Sequence, residues 1–433
     1  MNYESKRDFA TEKPGVLKES FTTDGQRIFR RVHDTDGNEL SRSAVGLNCS
    51  LEGKTQLELS GLFYQHWLRL KNPIESNPQR GAMRIVDLFA GCGGLSLGID
   101  EAAKACGFRP QHQFFSEIDS KIADVFSENF STLNGHVGDI SELIDGVIGE
   151  RPTSAENHFI SHVGSVDLLC GGPPCQGYSD LNNYTRRDDP RNSLYFLMAR
   201  AAELLKPKAL LIENVPGVLK DRTGSYQSTI SNLIALGYKI ETITLNASSF
   251  GVPQSRKRTF LFAARSVEQA TNWRRSIEEL KSSNLRNPLW AISDISEYTE
   301  SQGFRAPSKL SAESKMRVDW LFENDEHELP DRLRPDCHRL KSHSYNSVYG
   351  RMYAEGLAPT ITTGFLVMGQ GRFIHPTKRR TLTPHEGARL QTFPDYFKFG
   401  TQIRSKYAKM IGNAVPPLFA YYVGLATIHA AID

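Results

Sequence analysis

Short apolar runs, each ending near glycine, proline or an acidic residue, recur from Arg84 onward and alternate with longer stretches of helical spacing. Ile85-Val86-Asp87-Leu88-Phe89 is the first; a glycine-rich turn follows, then a helix-like stretch to about Cys106. Phe114-Phe115-Ser116-Glu117 predicts a second strand, with a helix over 121–130 behind it. Val166 to Cys170 runs into a Gly-Pro loop. Asn192-Ser193 can cap a helix that reaches Leu205 and stops at Lys206-Pro207, and Ala209 to Glu213 reads as the next strand. Residues 236–246 and 259–264 add further strand material. This alternation predicts a mostly parallel, doubly wound α/β sheet. Ligands of such sheets sit at the carboxyl ends of the strands.

The flanks differ. Residues 1–80 are polar, with turn signals at Asp24-Gly25 and Asp36-Gly37. The loose alternation of residues 26–32 between those turns predicts a small strand pair. Leu57 to Leu70 has helical spacing and ends at Asn72-Pro73, and residues 78–81 look like a linker. No function can be read from this extension. Residues 266–343 are charged and irregular, with prolines at 288, 307, 330 and 335, and predict a smaller domain inserted after the sheet.

Composition adds boundaries. A chain of 433 residues, 39% hydrophobic and 23% charged, suits a globular protein of two domains or one large domain with insertions. Its apolar runs fall short of the roughly 20 residues a bilayer span needs, and Met1-Asn2-Tyr3-Glu4 does not start a secretory signal. The expected location is the cytoplasm, with no membrane partner. Six scattered cysteines form no Cys-x-x-Cys pair, so free thiols and no metal site are expected. The net charge of +3 identifies no partner, but residues 371–409 hold nine Lys or Arg against two acids. Such a stretch suits a polyanion such as DNA, or equally a solvated face.

Four motifs fall at predicted strand ends. Asp87-Leu88-Phe89-Ala90-Gly91-Cys92-Gly93-Gly94-Leu95 is a turn that brings backbone close to a nucleotide-like ligand, without the spacing of a dinucleotide fingerprint. Glu117, ending the next strand, can hold ribose hydroxyls, and Asp139 can accept from an adenine amino group. An adenosine-containing cofactor without a pyrophosphate fits these three. Gly171-Gly172-Pro173-Pro174-Cys175-Gln176-Gly177-Tyr178-Ser179 presents one thiol on a stiff loop, as a nucleophile requires, whereas Cys170 within the strand suits an inert core role. Glu213-Asn214-Val215-Pro216 offers a carboxyl group that partial burial would tune for proton donation. In Gln254-Ser255-Arg256-Lys257-Arg258, alternation suggests one arginine facing the site and one a phosphate; both facing solvent is the alternative.

Together with Leu382-Thr383-Pro384-His385-Glu386 and Ile411-Gly412-Asn413-Ala414-Val415-Pro416-Pro417, this ordered set resembles the DNA cytosine-5 methyltransferase family of prokaryotic restriction-modification type, over about 84–265 and 344–430. The resemblance implies a Rossmann-like, S-adenosylmethionine-dependent sheet over 84–265. It also implies a target-recognition domain over 266–380 and a segment, 381–433, that completes the catalytic domain. Cys175 would add to cytosine C6, Glu213 would engage and protonate N3, and Arg258 would anchor O2 with Arg256 close by. Asp87, Phe89, Gly91, Gly93, Glu117, Ile118, Asp139, Pro174 and Asn413 would surround the cofactor. Ile118 departs from the family, whose members often carry an aromatic residue there. Gln176, Ser179, Thr363, Arg372, Lys378, Arg379 and Arg380 would face double-stranded DNA, from which the target base must be flipped. The same chemistry occurs on tRNA in a related class; the long insertion favours DNA. A monomer on the nucleoid and a paired restriction endonuclease complete the family expectation.

Overall fold

The computed structural model describes residues 17–432 apart from 48, 175–193, 222, 283, 298–299 and 340–347. Three strands, β1 (Lys18–Thr23), β2 (Arg27–His33) and β3 (Glu39–Gly46), form an antiparallel meander where a pair was expected, and α1 (Gln56–Arg69) follows. Thr55 and Glu58 close a capping box at the start of α1, satisfying its first amides.

The main sheet comprises β4 (Ala82–Leu88), β5 (Arg109–Glu117), β6 (Thr132–Val137), β7 (Leu168–Gly171), β8 (Ala209–Asn214), β9 (Lys239–Asn246) and β10 (Lys257–Ala264). They are ordered β6-β5-β4-β7-β8-β10-β9, parallel except that β10 runs against both its neighbours. This is the expected α/β architecture. The chain runs outward from β4 through β5 to β6, then returns to the other side of β4 as β7, so the direction of winding reverses between β4 and β7. In a sheet of this kind the crevice for a ligand opens at that point. Helices α2 (Gly94–Ala105), α3 (Ser120–Asn129), α4 (Ser154–Val163), α5 (Leu194–Leu205) and α6 (Ser225–Ala235) connect the strands. Every residue of β7 and β8 is buried, as strands covered on both faces must be.

Residues 267–279, within the span expected for the insertion, form α7 (Val267–Glu279), which packs on β9, β10 and the C-terminal helix. Trp273 stacks on Phe262 with ring centroids 5.0 Å apart and donates to Thr427. Beyond it lie the short α8 (Pro288–Ile292), α9 (Ala312–Glu323) and α10 (Asp336–Arg339). The chain then returns through α11 (Pro384–Leu390) and α12 (Arg404–Asn413) to α13 (Pro417–Ala431). The stretch Arg404–Ala431 has the length and apolarity of a membrane span, but 89% of its apolar window is buried inside the fold.

Helix α13 lies against α2. A Cβ at Gly98 would fall 2.3 Å from the Ala420 Cβ and 2.4 Å from the Pro417 carbonyl, so only glycine permits this crossing. The N-terminal meander docks on the same helices. Glu19 of β1 accepts hydrogen bonds from Tyr64 (2.6 Å), Tyr421 (2.8 Å) and Tyr422 (2.8 Å), with the buried Arg30 guanidinium 4.0 Å away.

Candidate active site

At the carboxyl ends of the parallel strands a cavity of about 590 Å³ opens. Its wall follows the strand order. Asp139 follows β6, Glu117 ends β5, and Asp87 and Phe89 lie at the end of β4. Gly172, Pro173 and Pro174 follow β7, and Glu213 lies in β8. Gly91, Ile118, Arg258 and Asn413 complete the set of expected residues on this wall. Cys175, Gln176 and Ser179 lie outside the described residues.

The turn after β4 is shaped by backbone conformation. Phe89 adopts φ 60°, uncommon for a residue with a side chain, and its ring lines the cavity. Glu117 reaches back under the turn, accepting from the Gly91 amide (3.0 Å) and the Asp119 amide (3.0 Å). Burial pushes its carboxyl above the ordinary value against the pull of those bonds. Asp139, exposed, caps a short helical turn by accepting from the Ser141 amide, which lowers its pKa. Gly93 is not on the wall. It starts α2 at φ 95°, and a Cβ there would sit 2.3 Å from the Phe130 ring, so its glycine serves packing.

At the far end, Glu213 is 8% exposed and pairs with Arg258, Nε to Oε1 2.7 Å. Burial raises the Glu213 pKa, and Arg258 and Arg256 hold it partly down. A carboxyl group so placed can deliver a proton at a pH where an ordinary one is spent.

Residues 83–429 match the family model for C-5 cytosine-specific DNA methylases. The chain belongs to that family. It is a DNA cytosine-5 methyltransferase. It is 42% identical over 426 residues to the type II methyltransferase M1.BsuMI of Bacillus subtilis, covering 98% of each chain. It is also 30% identical over 420 residues to M.Eco47II of Escherichia coli, covering 92% of this chain and 91% of that one. The solved methyltransferase EhMeth of Entamoeba histolytica, 17% identical, shares the fold with a TM-score of 0.52 over 81% of this chain and 98% of its own.

Arg256 takes a different place from its neighbour in the family motif. It is fully buried, and its guanidinium donates to the Ile361 carbonyl (2.8 Å) and the Gly412 carbonyl (2.9 Å). Gln254 works beside it, accepting from the Ile361 amide (3.1 Å) and donating to Gln391 (2.7 Å). These two side chains tie residues 358–364 to the end of α12, next to Asn413. Neither role was visible in the sequence, because both sets of partners lie more than 100 residues away.

The basic stretch 371–409 is largely compensated in the fold. Arg372 pairs with Glu328, Lys378 with Glu297, and Arg379 with Asp319 (3.2 Å) and Glu323 (3.4 Å). Arg380 makes a two-pronged contact with buried Glu386, 2.6 and 2.8 Å, which fixes its side chain inward. Lys406 and Lys409 share Asp119, and Arg389 is held by Asp395. Thr363 is exposed, with its backbone against Gly412 and its position off the cavity wall.

Proposed function

We propose that the protein transfers a methyl group from S-adenosylmethionine to C5 of a cytosine flipped out of a specific double-stranded DNA sequence. The observation that carries this reading is a single cavity with cofactor-type groups at one end and the Glu213–Arg258 pair at the other. Its volume of about 590 Å³ falls within the roughly 300–1,000 Å³ of small-molecule sites. Its donor set suits an adenosyl group: Asp139 for the amino group, Glu117 for ribose hydroxyls, and Phe89 and Ile118 for the faces of adenine. Asn413, Gly91 and Pro174 would close around the remainder. When bound, the cofactor supplies an electrophilic methyl on a sulfonium.

Cytosine C5 is a poor nucleophile. Addition of the Cys175 thiolate to C6 would turn the ring into an enamine able to attack the methyl. Glu213 would hold N3 and donate a proton there, while Arg258 would hold both Glu213 and O2. Loss of the C5 proton to solvent, return of the N3 proton to Glu213 and expulsion of the thiolate would then restore the aromatic ring with its new methyl. Extruding the base costs a few kcal/mol, and residues 266–380, apart from α7 on the sheet, would recognise the duplex. Thr363 would face DNA. Arg379, 48% exposed, could exchange its carboxylates for phosphates more readily than the inward-held Arg380. Gln176 and Ser179 would flank the base.

A monomeric cytoplasmic enzyme paired with a restriction endonuclease is the biological setting we infer. Incubation with labelled S-adenosylmethionine and duplex DNA, followed by bisulfite sequencing, tests the reaction and reveals the site. Methylation at a fixed cytosine, abolished in Cys175→Ser, is expected. Labelled tRNA with unlabelled DNA would overturn the substrate assignment.

A further inference from the structure

The strand order sets a sequence of groups along the cavity: Asp139 after β6, Glu117 on β5, Asp87 on β4, then Pro174 after β7 and Glu213 on β8. If adenine lies by Asp139 and ribose by Glu117, the next chemical group of the cofactor, the sulfonium, arrives at β4. Asp87 waits there. It is 1% exposed, and its Oδ2 accepts from Ser96 Oγ at 2.6 Å. Its Oδ1 is buried with no nitrogen or oxygen donor among the described residues, only the weakly donating Cys170 thiol beside the carboxyl, although Asp87 lines the cavity. A buried carboxylate oxygen without a partner is costly, and such a group in a ligand cavity calls for a cation to complete it.

We propose that Asp87 is the counter-ion of the cofactor's sulfonium, so that the enzyme distinguishes S-adenosylmethionine from its neutral thioether product, S-adenosylhomocysteine, and releases a proton when it takes up the former. The proposal rests on the cofactor assignment above. Burial raises the free carboxyl to about 7, so that at neutral pH it is partly protonated. Its surroundings are accounted for on every side. On β5, His112 pairs with Asp100 of α2 (2.8 Å), and Glu117 adds repulsion. On α2, Ser96 is neutral, and on β7 the buried Cys170 thiol donates to the Val86 carbonyl and also lies against the Asp87 carboxyl, which it lowers slightly. Burial lowers the pKa of His112, but Asp100 outweighs it and keeps the ring inclined to its charged form. His112 therefore holds the Asp87 carboxyl partly down, but burial outweighs it, and Asp87 stays the acid on the β4 wall of the cavity. A sulfonium favours the ionised carboxyl, whereas a thioether offers it no charge to pair with.

The sign follows. Below pH 7 Asp87 must lose a proton before it can pair with the sulfonium, so the affinity for S-adenosylmethionine falls by up to about tenfold per pH unit. Titration of Glu117 at the ribose would affect both ligands alike and cancels in their ratio. Calorimetric titration of the full chain with each ligand between pH 5.5 and 8.5 tests this. The ratio of affinities should rise with pH and level off above 7. Close to one proton should be released per S-adenosylmethionine at pH 6, read from buffers of different ionisation heat, and none per S-adenosylhomocysteine. Asp87→Asn should bind S-adenosylhomocysteine normally, which also reports its folding, while its ratio becomes low and independent of pH. Should Asp87→Asn fail to fold, Ser96→Ala removes a hydrogen bond to the carboxylate and should move the levelling-off to higher pH. A ratio that ignores pH in the wild type, or is unchanged in Asp87→Asn, overturns the proposal. Binding of neither ligand by the wild type would instead remove the cofactor assignment on which it stands.

Discussion

Replacing Glu19 by alanine removes the knot that fastens the N-terminal meander to the catalytic core. Its carboxylate is 6% exposed and serves three tyrosine hydroxyls, with Arg30 at 4.0 Å. Burial, reinforced by the Glu19 charge, pushes the pKa of Tyr64 and Tyr422 well up, so both remain donors. Tyr64 and Tyr421 lose their acceptor, while Tyr422 keeps its longer bond to the Tyr64 hydroxyl (3.3 Å), and each hydroxyl left without an acceptor costs about 1 kcal/mol. An uncompensated buried guanidinium places the whole loss in the range of about 3–5 kcal/mol. Urea unfolding followed by tryptophan fluorescence measures it, and proteolysis within residues 17–47 should accelerate in parallel. Tyr422→Phe alone should cost about 1 kcal/mol, and the double variant Glu19→Ala/Tyr422→Phe should lose clearly less than the sum, because both changes break one network. A loss below 1 kcal/mol for Glu19→Ala, or strict additivity, would refute this account of the N-terminal attachment.

Three further outcomes are expected. Arg258→Met removes the cation that holds down the Glu213 pKa, so the alkaline limb of the pH–rate profile should move to higher pH as the rate falls; a fixed limb would separate Glu213 from the proton transfer. Ile118, 69% exposed at the cavity rim, becomes an aromatic platform in Ile118→Trp. Stacking worth about 0.5–1.5 kcal/mol should tighten cofactor binding roughly 2- to 10-fold by calorimetry, and weaker binding would misplace adenine. Buried Glu386 is held at about 2 by Arg380 and His375 despite burial, against an ordinary 4.5. Its folded pKa is depressed, so its contribution, on the order of 3 kcal/mol, is present above pH 4.5 and lost as pH falls towards 2. The stability gap between wild type and Glu386→Gln should narrow below pH 4.5, and a constant gap would disprove the ion pair.

The central strands could be read in the sequence because burial on both faces leaves continuous apolar runs, as in Ala209-Leu210-Leu211-Ile212 of β8. The outer strands of the meander leave little trace in the sequence because Lys18–Thr23 and Glu39–Gly46 bury few residues and display mixed polarity. The charge of α7 points to the insertion, yet a narrow buried stripe through Ala270, Trp273 and Ile277 settles where it packs. In the site, residues at strand ends could be placed because topology gathers strand ends. Arg256 was not legible. One residue separates it from Arg258, but its partners are backbone carbonyls, which leave no mark in side-chain patterning.

The contact between α2 and α13 has a consequence for biosynthesis. The apolar groove around Gly98 emerges from the ribosome early, while the helix that fills it is made about 300 residues later. At roughly 5–20 residues per second, that groove stays uncovered for some tens of seconds. Nascent chains therefore expose a sticky surface throughout most of translation, and a chaperone that shields it should raise the yield of active enzyme.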